Sequence, residues 1–526
     1  MKRFLSFALS VAWIFGLAGC TQLHPAETVS SPQQETVRLD WYINYSWYNT
    51  PWGENAVSQA ITEKTGVDIH FISPDGSESV TLNALIAGDK LPDLVTLGWW
   101  EPQLNEIISG GMAYALNQLA DQYVPYFWDV AREELLSWYT ASDGNVYCYP
   151  NSAYSPGDYE GEIPIASNQT FLVRKDIYEA LGCPDMTTPE GFAGAVREAA
   201  RRFPTVDGQP LIPIGAHEFT ERGCDSFDKF LQNFLAIPYE MDGQAYDRNT
   251  DPEYKRWLLM FRQLGEEGLL SNDIFIDKRA QMEEKIADGR YFCMLYQRTD
   301  MAEQQRVLAA KNPDHVYIAV DGPRNAAGDP HTLPGSGING WTVTLISKNC
   351  ADPEGAIRLM SFLMSEEGQK LIMLGIEGEH YTMENGRAVL TPETRKLMTE
   401  DYPAYVRQIG ANDSYWMLQD NLMQAQWKPL DEPELLQMEQ WTYPYVCYTA
   451  QYDTNFVLES PADIAEKKIS AIHGQMLPQL LLAPTEEAFE TLWAEYVKAR
   501  EESGLAVMLQ EQTRQMTAAK EKLGLE

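Results

Sequence analysis

Val37-Arg38-Leu39-Asp40-Trp41-Tyr42-Ile43-Asn44-Tyr45 places a large apolar or aromatic side chain at every second position, the signature of a β-strand. The residues after it extend that strand into a repeating unit. Asn55 to Thr65 reads as a helix, Val67 to Ile72 as a second strand and Ser79 to Ala87 as a second helix; Asp93 to Leu97, after Leu91-Pro92, reads as a short buried strand. This alternation predicts a parallel sheet with right-handed crossovers. Ligands of open α/β sheets sit outside the carboxyl ends of the strands. Aromatic residues gather there: Trp47, Tyr48 and Trp52 after the first strand, and Trp99 and Trp100, beside Glu101, after the third. They stand in loops rather than in periodic elements, which marks the set as candidate ligand contacts; for any single one, covering the sheet edge is the alternative.

Upstream, Lys2 and Arg3 precede an apolar run from Phe4 to Leu17 that is too short to span a bilayer and reads as a signal peptide, 1–19. It ends at Leu17-Ala18-Gly19-Cys20, which resembles the bacterial lipobox, where the Cys thiol is acylated and the chain is cut before it. Cys20 would then carry lipid chains (palmitate or similar) that anchor the mature chain to the outer face of the cell membrane, each buried CH₂ contributing about 0.8 kcal/mol. The alternative is an ordinary signal peptide with a chance Cys at its end. Residues 20–36, with Pro25, Pro32 and many Ser, Thr and Gln, read as an extended tether.

A chain of 526 residues exceeds one compact core, so two lobes are expected. No later stretch is apolar enough to cross a membrane. The formal charge is −36, and removal of the first 19 residues, with two cations and no acid, takes it to −38. Such a surface repels phosphate backbones, which argues against nucleic acid as a partner. The seven Cys and seven His residues are scattered without metal-ligand spacing, so no metal and no cofactor is expected; after Cys20 is lipidated, six Cys remain, and their dispersal favours thiols over disulfides.

Further along, Val146 to Pro150 reads as a strand, and the Gly-, Pro- and Tyr-rich 152–167 as the crossover between lobes. Thr170 to Val173 is a strand, and Thr188-Pro189 starts a helix. Pro252 to Gly265 and Lys278 to Asp288 read as helices, and Gly289 to Leu295 as a turn and strand. Gly335-Ser336-Gly337-Ile338-Asn339-Gly340-Trp341 precedes a strand at Thr342 to Ile346; no helix opens after it, so it is not a nucleotide fingerprint. From Thr391 the chain is mostly helical, and it includes Trp416.

Four stretches carry a family resemblance: Leu91-Pro92-Asp93-Leu94-Val95; Val173 through Gly182; Ile346-Ser347-Lys348-Asn349-Cys350 through Gln369; and Gly375-Ile376-Glu377-Gly378-Glu379-His380-Tyr381. In this order, behind a lipobox, the sequence resembles the lipid-anchored extracellular solute-binding proteins of ABC importers (family 1), in the group that includes maltodextrin binders, over essentially the whole mature chain. The resemblance implies an α/β fold of the type II periplasmic-binding-protein kind, with discontinuous lobes joined by a hinge. Lobe one would take 37–163 and 331–387, and lobe two 164–330 and 388–526. It further implies capture of a carbohydrate in the interlobe cleft, presentation of the closed form to membrane permease subunits, and a monomer. By position, Trp99 or Trp100 resembles the aromatic after the third strand in the group's sugar binders, and the Trp47-to-Trp52 loop their first ligand-contacting loop. Asn339 and Trp341 fall at the crossing back into lobe one, and Trp416 would reach the cleft from lobe two. The chain departs from the maltodextrin proteins in length and in 152–167, so their ligand does not carry over.

Other readings remain open at this level. Cleft aromatics suit a peptide or another polar solute nearly as well as a sugar. A sensor subunit reporting to a membrane kinase would use the same closed form. A secreted glycosidase needs two carboxylates across a cleft, and no motif singles out such a pair; the expectation is a binder, not an enzyme.

Overall fold

Alternation along the first strand divides its side chains between two cores. β1 (Val37–Ile43) is followed by α1 (Ala56–Thr65), β2 (Val67–Ile72), α2 (Glu78–Ala87) and β3 (Leu94–Gly98), within a computed structural model that describes residues 36–429 and 433–525. The expected signal peptide, Cys20 and the tether up to residue 35 lie outside the described residues. Leu39, Trp41 and Ile43 pack with Val57 and Ile61 of α1, while Tyr42, Val95 and Leu97 pack with Leu82 and Ile86 of α2 on the opposite face. Burial on both faces is what a parallel sheet requires. Asn55 caps α1 by accepting from the Ser58 N–H at 2.9 Å, and Gly66, with φ of 68°, closes it.

The chain then supplies β4 (Cys148–Pro150), β5 (Gln169–Arg174), β6 (Ile212–Gly215), β7 (Tyr291–Gln297), β8 (Tyr317–Ala319) and β9 (Thr342–Ile346). They form two sheets. The first runs β2-β1-β3-β9-β4, with β2, β1 and β3 parallel and β9 antiparallel to both β3 and β4. The second runs β8-β5-β7-β6, antiparallel except for the β7–β6 pair. The expected parallel sheet is therefore a parallel half completed by a strand from more than 200 residues downstream. Leu477, Leu480, Leu481, Phe489, Trp493 and Tyr496, from the helices Pro461–Leu481 and Glu486–Glu502, join the core of the second sheet.

Residues 402–418, expected with the second lobe, pack into the first sheet instead. Tyr405, Tyr415 and Trp416 share a core with Leu39 and Trp41. Polar groups fix the attachment: Asn55 Nδ2 donates to Tyr415 Oη at 2.7 Å and to the Val406 carbonyl at 3.2 Å, and Tyr48 Oη donates to the Ser414 carbonyl at 3.0 Å. The six cysteines in the described residues are free thiols, as their dispersal favours.

The passages between the sheets run side by side. Asn151 N–H donates to the Thr342 carbonyl, its Oδ1 accepts from the Thr342 N–H at 2.8 Å, and its Nδ2 donates to the Trp416 carbonyl at 3.0 Å. Tyr154 N–H donates to the Gly337 carbonyl, Tyr159 Oη donates to the Ser336 carbonyl, and Leu333-Pro334 pairs with Val446-Cys447. The glycine-rich stretch serves this contact. A Cβ on Gly340, whose φ is 69°, would stand 2.1 Å from the Asn151 carbonyl oxygen, and one on Gly337 would stand 2.3 Å from Ala450 Cβ. Asn151 is fully buried, so Asn151→Ala strands a backbone N–H and a backbone C=O. The expected loss is about 2–4 kcal/mol, read as an earlier denaturant midpoint.

Candidate functional site

Above the carboxyl end of β1, aromatic side chains from three distant segments converge. Trp47 and Trp341 are nearly parallel, with an interplanar angle of 10° and centroids 6.3 Å apart, and they are 56% and 37% exposed. Tyr45 stacks on Trp341 at 5.4 Å. Trp416 lies 4.6 Å from Trp341 and 5.9 Å from Trp47, and Tyr48 meets Trp416 edge-on at 5.8 Å. Trp416, Tyr48 and Tyr45 are buried. The arrangement is a shelf: two open indole rings above a packed aromatic base. β1, β9 and the Asn412–Leu418 turn hold it, so its shape depends on sheet pairing rather than on a single loop.

The other expected residues are distributed differently. Trp52 donates from Nε1 to Thr62 Oγ1 at 3.2 Å, packs on Phe71 and Tyr415, and lines a separate cavity of about 450 Å³ with Arg38, Asp68 and His70. Trp99 and Trp100 meet edge-on at 5.9 Å beyond β3, with Trp100 44% exposed, and no ring contact among the described residues joins them to the shelf. A Cβ on Gly98 would stand 2.7 Å from the Trp100 ring, so this glycine lets the indole fold back over the strand end. Asn339 is fully engaged by the protein: Oδ1 accepts from Trp138 Nε1 at 2.8 Å, its carbonyl accepts from Tyr139 Oη at 2.7 Å, and Nδ2 donates to Asp453 at 2.9 Å.

Glu101 ties two strand ends together. Its carboxylate accepts from the Gly98 N–H at 2.7 Å and from Asn44 Nδ2. Burial, with the Glu78 charge adding to it, pushes its pKa up to about 7, although the two hydrogen bonds oppose the shift. Burial likewise pushes Asp453 up to about 6, against the pull of the Asn339 hydrogen bond and the Lys229 charge.

That Lys229 belongs to a cavity of about 580 Å³ beyond the carboxyl ends of β6 and β7, in the second sheet's lobe. His217, Asp225, Lys229, Tyr296, Asp300 and Arg500 are among its walls. The size falls within the roughly 300–1,000 Å³ typical of small-molecule sites. Sequence reading missed this cavity because its side chains are spread over 217–300 and 466–500. The available signal was Ile212 to Gly215 followed by His217, but Pro213 disguises the strand.

The two raised carboxyls set a pH dependence. Each binds a proton in the folded state at pH values where the unfolded chain, with ordinary values of 4.5 for Glu101 and 3.8 for Asp453, does not. The stability that these two groups contribute therefore falls as pH rises from about 4 to 7. Glu101→Gln flattens the upper part of that slope, which denaturant midpoints measured across the window will read.

The comparisons with known proteins agree with this architecture. The model of the family described as bacterial extracellular solute-binding protein matches residues 56–377. The curated "Lipoprotein LipO" of Bacillus subtilis (strain 168) is 19% identical over 394 residues, 73% of this chain and 74% of that one. Among solved structures, the HMO-binding, ABC-transporter-associated solute-binding protein from Bifidobacterium longum infantis has a TM-score of 0.71 at 14% identity, covering 93% of this chain and 100% of that one. The S. pneumoniae ABC-transporter substrate-binding protein FusA, in complex with kestose, has a TM-score of 0.70 at 17% identity, covering 92% and 99%. Both sheets, their discontinuous order and the crossing segments thus form the two-lobed α/β fold of such proteins. With the family model matching well over half of its length, the chain belongs to the bacterial extracellular solute-binding proteins.

Proposed function

We propose that this protein is the substrate-binding lipoprotein of an ABC importer, that it captures an oligosaccharide between its lobes, and that it hands the ligand unchanged to membrane permease subunits. The observation that carries this reading is the shelf. Trp47 and Trp341 are large, exposed and nearly parallel, on a base that fixes their orientation before ligand arrives. Flat indole faces match the apolar face of a pyranose or furanose ring, and preorganisation lowers the entropic cost of binding. The names of the structural neighbours, HMO binding in one and a kestose complex in another, support the same ligand class.

In this reading Trp47 and Trp341 stack on the sugar, Trp99, Trp100 and Glu101 border the cleft, and Tyr48 and Trp416 contribute by supporting the shelf. Trp52 and Asn339 take supporting places too, the first behind the β1 loop and the second at the crossing. Lobe one comprises 37–163 and 331–387 together with the 402–418 segment, and lobe two comprises 164–330 and the C-terminal helices. Closure rotates one about the crossing segments near Asn151 and Gly340. The chain acts as a monomer and catalyses nothing. Lipidation at Cys20 after removal of 1–19, with 20–36 as tether, holds it at the extracytoplasmic face of the membrane.

Two measurements check this. Trp341→Ala is expected to weaken the affinity for neutral oligosaccharides at least tenfold by calorimetry, equivalent to about 1.4 kcal/mol; an unchanged affinity contradicts the stacking role. Cys20→Ser is expected to move the protein from the membrane fraction to the soluble fraction of producing cells; retention in the membrane fraction contradicts the anchor.

A further inference from the structure

The cavity in the second lobe contains a pattern of unmet hydrogen bonds. Most buried polar groups on its floor are satisfied internally. Asp228 accepts from the Cys224 N–H at 2.7 Å and from Tyr254 Oη at 3.1 Å, and it bonds His473 Nε2 at 2.5 Å; His473 Nδ1 in turn bonds Tyr496 Oη at 2.7 Å. Three buried nitrogen atoms of its lining residues have no hydrogen-bond partner among the described residues: Nε and Nη1 of Arg500, and Nε2 of His217. Arg500 is 1% exposed and uses Nη2 on Asp247.

The surrounding network fixes the role of His217. Ser226 Oγ has one proton, which it donates to the Leu295 carbonyl at 2.7 Å, while it accepts from the His217 N–H at 2.8 Å. Toward His217 Nδ1, 3.0 Å away, Ser226 Oγ can therefore only accept. Nδ1 carries the proton and Nε2 is a bare acceptor. Burial holds this imidazole down to about 4, so it stays neutral at physiological pH. Tyr296 stacks on the ring at 4.3 Å and Phe230 meets it edge-on at 5.0 Å, fixing its orientation.

We propose that His217, Tyr296 and Arg500 form a second saccharide subsite, which takes one hydroxyl-bearing unit of a neutral oligosaccharide whose other end lies on the Trp47–Trp341 shelf. This rests on the oligosaccharide-binding reading and extends it to ligand class and length. A hydroxyl can donate to His217 Nε2 while a neighbouring one accepts from Arg500. An anionic sugar fits less well: Arg500 already pairs with Asp247, and carboxylates outnumber cations along the cavity wall. Asn339, two residues before Trp341, bonds Asp453, the carboxyl that feels the charge of Lys229 on the cavity wall.

The test is calorimetric titration of the mature protein with neutral gluco-, fructo- and manno-oligosaccharides of two to six units and with a hexuronate tetramer. The wild type is expected to bind a neutral tetramer at least tenfold more tightly than its dimer, and His217→Phe, which retains the aromatic ring, to reduce that ratio below threefold. Because the substitution could disturb folding, ¹⁵N spectra of unmodified protein give a second reading: His217 Nε2 shifts with the tetramer and not with the dimer. Binding that depends on Trp341 but shows neither length preference nor a His217 shift overturns the subsite alone, as does preference for the hexuronate. No binding of any saccharide overturns both the subsite and the oligosaccharide reading.

Discussion

Asn151 pins the start of the crossing segments to the first sheet. Its side chain, fully buried, answers one backbone N–H and one backbone C=O on two different segments, while its own backbone pairs with Thr342. Wherever a chain leaves one sheet for another, its backbone loses ladder partners, and buried backbone groups left without partners are costly. Here the crossing segments supply each other. Because they must lie within contact distance, positions 337 and 340 have to be glycine. A hydrogen-bonded crossing of this kind resists unravelling.

The same crossing positions the aromatic shelf. Trp341 stands one residue after Gly340 and one before β9, and Trp416 is the residue whose carbonyl Asn151 engages. The shelf therefore borders the crossing segments. The second sheet's lobe holds a polar cavity, and the first sheet carries aromatic faces. Aromatic faces and polar groups are the two kinds of contact that a sugar takes, its ring having an apolar face and a hydroxyl-lined rim.

Much of the architecture was legible from short-range patterns. Alternation in Val37 to Tyr45, helix signals such as Thr188-Pro189, and the strand at Thr342 to Ile346 all correspond to observed elements. What was not legible is long-range. Nothing local to Thr342 says that it pairs with Gly98, and nothing local to Trp416 says that it joins the first sheet rather than the second. At the candidate site, loop position brought Trp47 and Trp341 forward, but it could not tell an open ring from a supporting one; that distinction, which separates Trp47 from Tyr48, is made by neighbours hundreds of residues away. The second-lobe cavity escaped because a charged residue in a loop looks the same whether it faces solvent or a pocket.

Capture without conversion is the core of the proposed function. Native mass spectrometry of the mature protein, incubated with a mixture of neutral oligosaccharides and then denatured to release what it holds, tests this directly. One saccharide per chain, recovered at its original mass and enriched in the longer members, is the predicted result. Recovery of shortened products, or of protein carrying no saccharide at all, would contradict it.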